Sequence, residues 1–267
     1  MYRGFCIEVF SDLETTVNGI KINYISEGEG DVVLILHGWG ASIEVYRSII
    51  DTLKTNMRVI ALDMPGVGKT DEPDTPWCVD DYTRLVVDFI KSLNIKKLSL
   101  IGHSFGGRVI IKIMSLEDKP FEVDKIVMID SAGIRRKLSF KKKLRQSFYK
   151  LCKKVLNIPI VKWFYPDALD NLQSRFGSAD YVSATPVMRS TLVRVVNEDL
   201  TQLISNINRP TLLIWGENDT STPYSDAEKM NGLIKDSGIV KIEGAGHFSF
   251  LDNPRVVKSA LLSFFNA

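Results

Sequence analysis

Cysteine and histidine are scarce in this chain, and their scarcity excludes several kinds of site. Cys6, Cys78 and Cys152 are odd in number and lack the spacing of metal ligands, so they indicate reduced thiols rather than a disulfide framework or a zinc site. The three histidines are dispersed and no H-E-x-x-H sequence occurs, which leaves no case for zinc hydrolase chemistry. We therefore expect no metal.

Long apolar runs and a phosphate-binding loop are also missing. No stretch approaches the length of a membrane span, and the first 20 residues mix charged residues among apolar ones, unlike a secretory signal. Together with reduced cysteines, this predicts a cytoplasmic protein. Gly68-Lys69-Thr70 has Asp63 where a phosphate loop needs glycine, so we expect no nucleotide and no other cofactor.

Apolar runs of strand length alternate with amphipathic helical patterns along most of the chain. Runs such as VVLIL, IVMID and TLLIW are typical of strands buried on both faces of a mostly parallel sheet. The alternation predicts a doubly wound α/β fold of about eight strands. Ser42 is placed to cap a helix that follows it, and Pro254 starts the last helix. Candidate strands are Ile20–Ser26, Val32–Leu36, Arg58–Leu62, Lys97–Ile101, Lys125–Ile129, Thr211–Trp215 and Gly238–Ile242.

The alternation stops near Ala132 and resumes near Arg209, with no strand-like run between. The intervening segment carries 14 Lys and Arg against 5 Asp and Glu, whereas the remainder has 20 against 27. We predict an α/β core of residues 1–132 and 209–267 and an inserted helical cap of residues 133–208. In the cap, Pro186 starts one helix, and another has an apolar stripe of Phe140, Leu144, Phe148, Leu151 and Val155.

The segment Leu98–Gly107, LSLIGHSFGG, joins a strand-like run to a helical pattern through Gly102-His103-Ser104-Phe105-Gly106. The spacing G-x-S-x-G fits a serine on a sharp strand-to-helix turn, where only small residues fit at the flanking positions. The five-residue motif alone would be a weak indication of a catalytic serine. The strand-like run before it and the helical pattern after it make the indication strong.

Serine nucleophiles need a base, a carboxylate that orients the base, and donors for the oxyanion. His247 lies in a glycine-rich loop after one predicted strand, and Asp219 follows another. The order Ser104, Asp219, His247 is the one expected for an α/β-hydrolase arrangement. His37 and His103 are expected to shape loops. Asp63, Asp130 and Glu217 are alternative carboxylates, with loop bonding or capping favoured for Asp63 and Asp130.

With these motifs in place, the chain resembles the α/β-hydrolase superfamily over nearly its whole length. The resemblance implies Ser104 as nucleophile, His247 as base, Asp219 as its orienter, and the backbone N–H groups of Trp39 and Phe105 as the oxyanion hole. Gly38, Trp39, Phe148 and Phe248 are the candidate substrate-binding residues. The matching motifs are His37-Gly38-Trp39-Gly40, Asp63-Met64-Pro65-Gly66-Val67-Gly68, the GHSFGG turn, Trp215-Gly216-x-x-Asp219 and Gly246-His247.

Single positions narrow the reaction within this superfamily. Serine at position 104 disfavours the branches that use aspartate or cysteine there, and His103 disfavours carbon–carbon bond hydrolases, which tend to have Asn. Cleavage of a carboxylic ester or thioester is favoured. Acyl transfer, carbon–carbon cleavage and non-catalytic binding of a small molecule stay open. The stretch from His37 to Arg47 is similar to pimeloyl-acyl-carrier methyl esterases of biotin synthesis.

From Arg135 to Lys154 there are ten basic residues and no acidic one. This segment is either a solvated helix face or a docking surface for an acidic partner, such as an acyl carrier protein or an anionic membrane surface. Nucleic acid is not expected, because the segment lacks stacking aromatics on its polar face. The sequence does not indicate an oligomeric state.

Overall fold

The computed structural model describes residues 11–135 and 179–266, together with positions 147, 152, 154 and 156. Within these residues, eight strands form one sheet. Seven of them match the runs expected from the sequence. The strands are β1 Leu13–Val17, β2 Ile20–Glu27, β3 Val32–Leu36, β4 Arg58–Leu62, β5 Lys97–His103, β6 Glu122–Ile129, β7 Thr211–Gly216 and β8 Ser237–Ile242.

The strand order is β1-β2-β4-β3-β5-β6-β7-β8. Strands β3 to β8 run parallel, while β1 and β2 form an antiparallel edge. Successive residues of β3 are buried on opposite faces, because Val33 and Ile35 belong to one apolar cluster and Leu34 and Leu36 to the other. The expected α/β fold with a mostly parallel sheet of about eight strands is confirmed.

Helices cover both faces of the sheet. Buried side chains of the helices Val79–Ser92, Phe105–Met114 and Tyr224–Leu233 pack on one face, and those of the helices Arg47–Leu53 and Pro254–Phe265 pack on the other. Two 3₁₀ helices span Ile43–Tyr46 and Thr201–Asn206. The described α-helices are α1 Arg47–Leu53, α2 Val79–Ser92, α3 Phe105–Met114, α4 Ala179–Ser183, α5 Pro186–Asn197, α6 Tyr224–Leu233, α7 Ser249–Asp252 and α8 Pro254–Phe265.

Helix starts were predicted with mixed success. Pro186 and Pro254 begin α5 and α8 as expected, and Asn253 Oδ1 accepts the Val256 N–H at 3.3 Å. The prediction for Ser42 is wrong. It precedes a 3₁₀ turn, and its side chain makes no capping hydrogen bond to the described residues.

Helix α5 is attached to the core through a loop that follows β4. The Trp77 N–H donates to Thr191 Oγ1 at 3.0 Å, and Arg194 donates to the Pro76 carbonyl. At the end of α5, the buried Arg108 guanidinium donates to the Glu198 carbonyl at 2.7 Å. The described part of the predicted cap, residues 133–135 and 179–208, contains no strand. The stripe from Phe140 to Val155 lies outside the described residues, so the cap as a unit stays a prediction.

Candidate active site

Ser104 lies at the junction of β5 and α3 with a strained backbone. Its φ of 48° and ψ of −108° are unfavourable for a residue with a side chain. A Cβ on Gly102 would lie 2.8 Å from the Gly106 and Gly107 backbones, and one on Gly106 would lie 2.0 Å from the Leu36 carbonyl oxygen. The turn is therefore so tight that it requires glycine on both sides of Ser104.

His247 and Asp219 come from the ends of β8 and β7 and meet Ser104 at the carboxyl edge of the sheet. His247 Nε2 lies 2.9 Å from Ser104 Oγ, and His247 Nδ1 lies 2.8 Å from Asp219 Oδ2. Because an ionised carboxylate only accepts, Nδ1 carries the proton and Nε2 is free to accept from the Ser104 hydroxyl. This arrangement can accept a proton from a nucleophilic serine.

The Asp219 carboxylate is held by the turn that follows it. Oδ1 accepts the N–H groups of Ser221 at 2.7 Å and Thr222 at 2.9 Å, and Oδ2 accepts the Thr222 hydroxyl at 2.7 Å. Burial alone would raise the pKa of Asp219, but the hydrogen bonds from His247 and Thr222 outweigh it and lower the pKa. Asp219 is therefore ionised at neutral pH and fixed in direction.

The alternative carboxylates all have other partners. Glu217 accepts from Lys241 Nζ at 3.0 Å and the Gly244 N–H at 3.2 Å, away from His247. Asp63 accepts the N–H groups of Ile43 and Lys69, at 2.9 and 3.0 Å. Asp130 accepts the N–H groups of Gly216, the last residue of β7, at 2.8 Å and of Ser249, the first residue of α7, at 2.9 Å. The loop-bonding roles expected for Asp63 and Asp130 are confirmed.

The two backbone donors predicted for the oxyanion hole belong to Trp39 and Phe105. Phe105 is the first residue of α3, so its N–H has no acceptor within the helix. The Trp39 N–H has no acceptor among the described residues, and the Trp39 and Phe105 rings lie 5.5 Å apart. Gly38 is close as well, since a Cβ there would lie 3.3 Å from Ser104 Cβ. Two N–H groups directed at one point can bind a developing oxyanion, and the oxyanion-hole role of Trp39 and Phe105 stays a prediction.

The comparisons with known proteins agree with the fold of this chain. A family described as the alpha/beta hydrolase fold matches residues 31–254. The chain belongs to the alpha/beta hydrolase family. It is 29% identical, over 92% of its length and 88% of the relative's, to 2-hydroxy-6-oxo-6-(2'-aminophenyl)hexa-2,4-dienoic acid hydrolase of Metapseudomonas resinovorans.

Solved structures of other alpha/beta hydrolases superpose well on this one. A serine hydrolase involved in carbazole degradation, the CarC enzyme, is 27% identical with a TM-score of 0.73, covering 97% of this chain and 99% of the other. An esterase from Exiguobacterium antarcticum, 23% identical with a TM-score of 0.75, covers 97% and 100% and shares the fold.

The four candidate substrate-binding residues of this alpha/beta hydrolase differ in where they lie relative to the candidate active site. Phe248 is 38% exposed, and its ring lies 5.6 Å from the His247 ring, beside the candidate base. Gly38 adjoins Ser104, and the Trp39 ring lies beside the ring of Phe105, the residue after Ser104. Phe148 lies outside the described residues. Contact of any of the four with a substrate stays a prediction.

Sequence reasoning missed Thr222 and Tyr46 as contacts of the site. Thr222 holds Asp219, and the spacing Asp219-x-x-Thr222 before a proline is a turn signal that could have revealed it. Tyr46 is hydrogen-bonded to His103, 57 positions away, and no local pattern indicates that contact. Among the described residues, no helix is long and apolar enough to cross a membrane, and no group of three or more His, Cys, Asp or Glu side chains could hold a metal ion.

Proposed function

We propose that this alpha/beta hydrolase cleaves a carboxylic ester or thioester through an acyl-enzyme on Ser104. The observation that carries the proposal is the unbroken series of hydrogen bonds from Ser104 Oγ through His247 to Asp219, at 2.9 and 2.8 Å. A merely structural serine would need neither a base at its Oγ nor a carboxylate behind that base.

In the first half-reaction, Ser104 Oγ attacks the acyl carbon while its proton passes to His247 Nε2. Asp219 stabilises the imidazolium that forms, and the N–H groups of Phe105 and Trp39 donate to the oxyanion. When the tetrahedral intermediate collapses, the bond to the alcohol or thiol breaks and His247 protonates that leaving group. Water, deprotonated by His247, then attacks the acyl-enzyme, which releases the acid and restores Ser104.

Replacing the nucleophile tests the proposal. Ser104→Ala should abolish covalent labelling by a fluorophosphonate and lower turnover of a short-chain p-nitrophenyl ester by about 10³-fold or more. Ser99→Ala is the matched control, because Ser99 is a buried serine of β5, the strand that leads to Ser104, and its loss should leave both readouts intact. Labelling that persists in Ser104→Ala, or its absence in the native chain, would contradict the assignment.

A carbon–carbon bond hydrolase is the second candidate, favoured by the relative from Metapseudomonas resinovorans, whose name describes a hydrolase of a substituted dienoic acid. The same three residues could serve it. Comparing kcat/KM for that dienoate with kcat/KM for p-nitrophenyl acetate separates the two, since each substrate suits one reaction. Added alcohol or amine acceptors that outcompete water would indicate acyl transfer, and stoichiometric binding without turnover would indicate a binding protein.

The predicted cap of residues 133–208 and its basic segment belong to this proposal as well. The basic segment, residues 135–154, would dock an acyl carrier protein or an anionic membrane surface close to a lid over Ser104. Its support is the charge segregation of the sequence. Most of the residues that would form the docking surface lie outside the described residues, and the cytoplasmic location likewise rests on the sequence.

A further inference from the structure

A directed series of hydrogen bonds runs behind Ser104 through the buried side chains of His103 and Tyr46. His103 Nε2 lies 2.8 Å from the His247 carbonyl oxygen, and His103 Nδ1 lies 2.8 Å from Tyr46 Oη. The Gly38 N–H donates to the same Tyr46 oxygen at 2.8 Å. All three contacts are within good hydrogen-bond distance.

For a neutral His103 imidazole, the chemistry of the end groups fixes every proton in this series. A carbonyl only accepts, so His103 Nε2 carries the proton and His103 Nδ1 must accept. Tyr46 therefore donates its hydroxyl proton to Nδ1 and accepts from Gly38 with its oxygen. With His103 neutral, each partner has one role, and no second arrangement of protons satisfies all three contacts.

The surroundings keep the His103 imidazole neutral and the Tyr46 hydroxyl protonated. Burial lowers the pKa of His103 to about 3, with Asp219 opposing and the His247 and His37 rings adding to the shift. Burial likewise raises the pKa of Tyr46, so its hydroxyl stays protonated. The Tyr46 ring is stacked on Phe250 with centroids 5.0 Å apart, which fixes the direction of the hydroxyl independently of its hydrogen bonds.

The two ends of the series lie in two different parts of the candidate site. Gly38 precedes Trp39, a candidate oxyanion donor, and the accepting carbonyl belongs to His247, the candidate base. His103 itself precedes Ser104. The series therefore connects the backbones of the oxyanion loop, the nucleophile and the base, which come from the ends of three strands, β3, β5 and β8.

We propose that His103 and Tyr46 are positioning residues, which hold the Gly38–Trp39 backbone and the His247 backbone at fixed distances from Ser104. The proposal rests on the hydrolase function proposed above. Neither side chain exchanges a proton with the substrate. Their effect is on orientation, which matters because an error of about 1 Å in the placement of reacting groups can cost roughly 10²-fold in rate.

Nitrogen-15 NMR of the histidines tests the bonding directly and does not depend on turnover. The chain has three histidines, so a histidine-labelled sample gives three imidazoles, with His103 assigned by its loss in His103→Gln. At pH 7 we expect His103 neutral with its proton on Nε2, and His37 with its proton on Nδ1, because His37 Nδ1 faces the Gly38 carbonyl oxygen at 2.7 Å. A charged His103, or one protonated on Nδ1 alone, would overturn the proposal.

Tyr46→Phe tests the consequence for catalysis, because it removes the hydroxyl and retains the stacked ring. We expect kcat for a p-nitrophenyl ester and the rate of fluorophosphonate labelling to fall about 10- to 100-fold, with KM changed by less than about threefold. Tyr82→Phe is the matched control, because it also removes a buried hydroxyl, bonded only to the Pro65 carbonyl among the described residues, at 3.2 Å. Equal effects of the two variants would overturn the proposal.

Two substitutions of His103 each remove one of its two hydrogen bonds and keep the other. His103→Asn places an acceptor near the former Nδ1 but no donor near the former Nε2, whereas His103→Gln does the reverse. Each should lower kcat, and Tyr46→Phe should add little to the effect of His103→Gln, since that variant has already lost the tyrosine contact. Full additivity would overturn the proposal. A native chain without activity would contradict the hydrolase function instead, and the NMR result would still decide the bonding.

Discussion

Two carboxylates lie two positions apart after β7, and their surroundings give them different chemistry. Asp219 is buried and accepts from His247, Ser221 and Thr222. Glu217 is exposed and pairs with Lys241, whose hydrogen bond lowers the pKa of Glu217. Chain order indicated Asp219 in advance. The contacts of Thr222 and Glu217 could not be derived that way, because they depend on how the turn folds back on the carboxylate.

Asp219→Asn should lower kcat by about 10³- to 10⁴-fold while KM changes little. The amide nitrogen of Asn can donate to His247 Nδ1, which would hold the imidazole in the wrong tautomer and leave Nε2 unable to accept from Ser104. Steady-state kinetics with a p-nitrophenyl ester measure the effect. Glu217→Gln is the control and should stay within about twofold of the native chain. A larger loss of kcat in Glu217→Gln than in Asp219→Asn would show that Glu217, and not Asp219, orients His247.

At the scale of elements, the buried parallel strands were predictable and the edge hairpin was not predicted. Runs such as Val32–Leu36 are apolar at every position because helices cover both faces of the sheet. Strand β1, LETTV, is mostly exposed and has two apolar residues, so hydrophobicity gives little signal. Its turn does carry one, since Asn18 and Gly19 both have positive φ, as a two-residue hairpin requires.

Gly106→Ala tests the packing of α3 against β3. The added Cβ would lie 2.0 Å from the Leu36 carbonyl oxygen, so the helix must move, and we expect a loss of about 3 kcal/mol in the free energy of unfolding. Gly232→Ala in α6 is the control. A Cβ there meets nothing within 4 Å, and it should stabilise by about 0.5–1 kcal/mol. Urea unfolding measures the change in the free energy of unfolding for both variants. A change of the same sign in the two would contradict the packing argument.

Asp130 joins three elements, because it follows β6 and accepts N–H groups from the end of β7 and the start of α7. Burial raises its pKa from 3.8 to about 6 against the opposing hydrogen bonds. The folded chain therefore binds this proton more tightly than the unfolded chain does. The resulting stabilisation is fully present below pH 3.8 and is lost as the pH rises through about 6.

Asp130→Asn provides the non-titrating reference for this effect. Between pH 4 and 7, the free energy of unfolding of the native chain should fall by up to about 3 kcal/mol relative to that of the variant. Groups common to both chains cancel in the difference. Urea unfolding at several pH values measures it, and a native chain that gains stability over the variant as the pH rises would contradict the sign.

At the scale of the whole molecule, the charge changes sign at the boundaries predicted for the cap. Residues 133–208 contain 14 Lys and Arg and 5 Asp and Glu, a net charge of +9. The remainder contains 20 Lys and Arg and 27 Asp and Glu, a net charge of −7. Apolar periodicity predicted the core because core strands are determined by burial. What a charged segment binds cannot be derived from periodicity, since a solvated face and a docking face have the same pattern.

Replacing Lys141, Lys142 and Lys143 together with Gln separates these two interpretations of the basic segment. If the segment docks an acidic partner, kcat/KM for a substrate carried by an acyl carrier protein or by anionic vesicles should fall several-fold. Turnover of a small neutral ester should hardly change, because it needs no docking. The loss should shrink as salt rises, since exposed charges are screened over about 8–10 Å at physiological ionic strength.

The matched control replaces three exposed lysines of the core, Lys96, Lys235 and Lys258, with Gln. It changes the net charge by the same amount, so a general effect of charge on substrate encounter would appear equally in both triple variants. A loss confined to the basic segment and to carried substrates supports docking. A loss of the same size for the small ester points to folding of the cap instead. No loss for either substrate identifies the segment as a solvated face, because charges that contact nothing contribute nothing to binding.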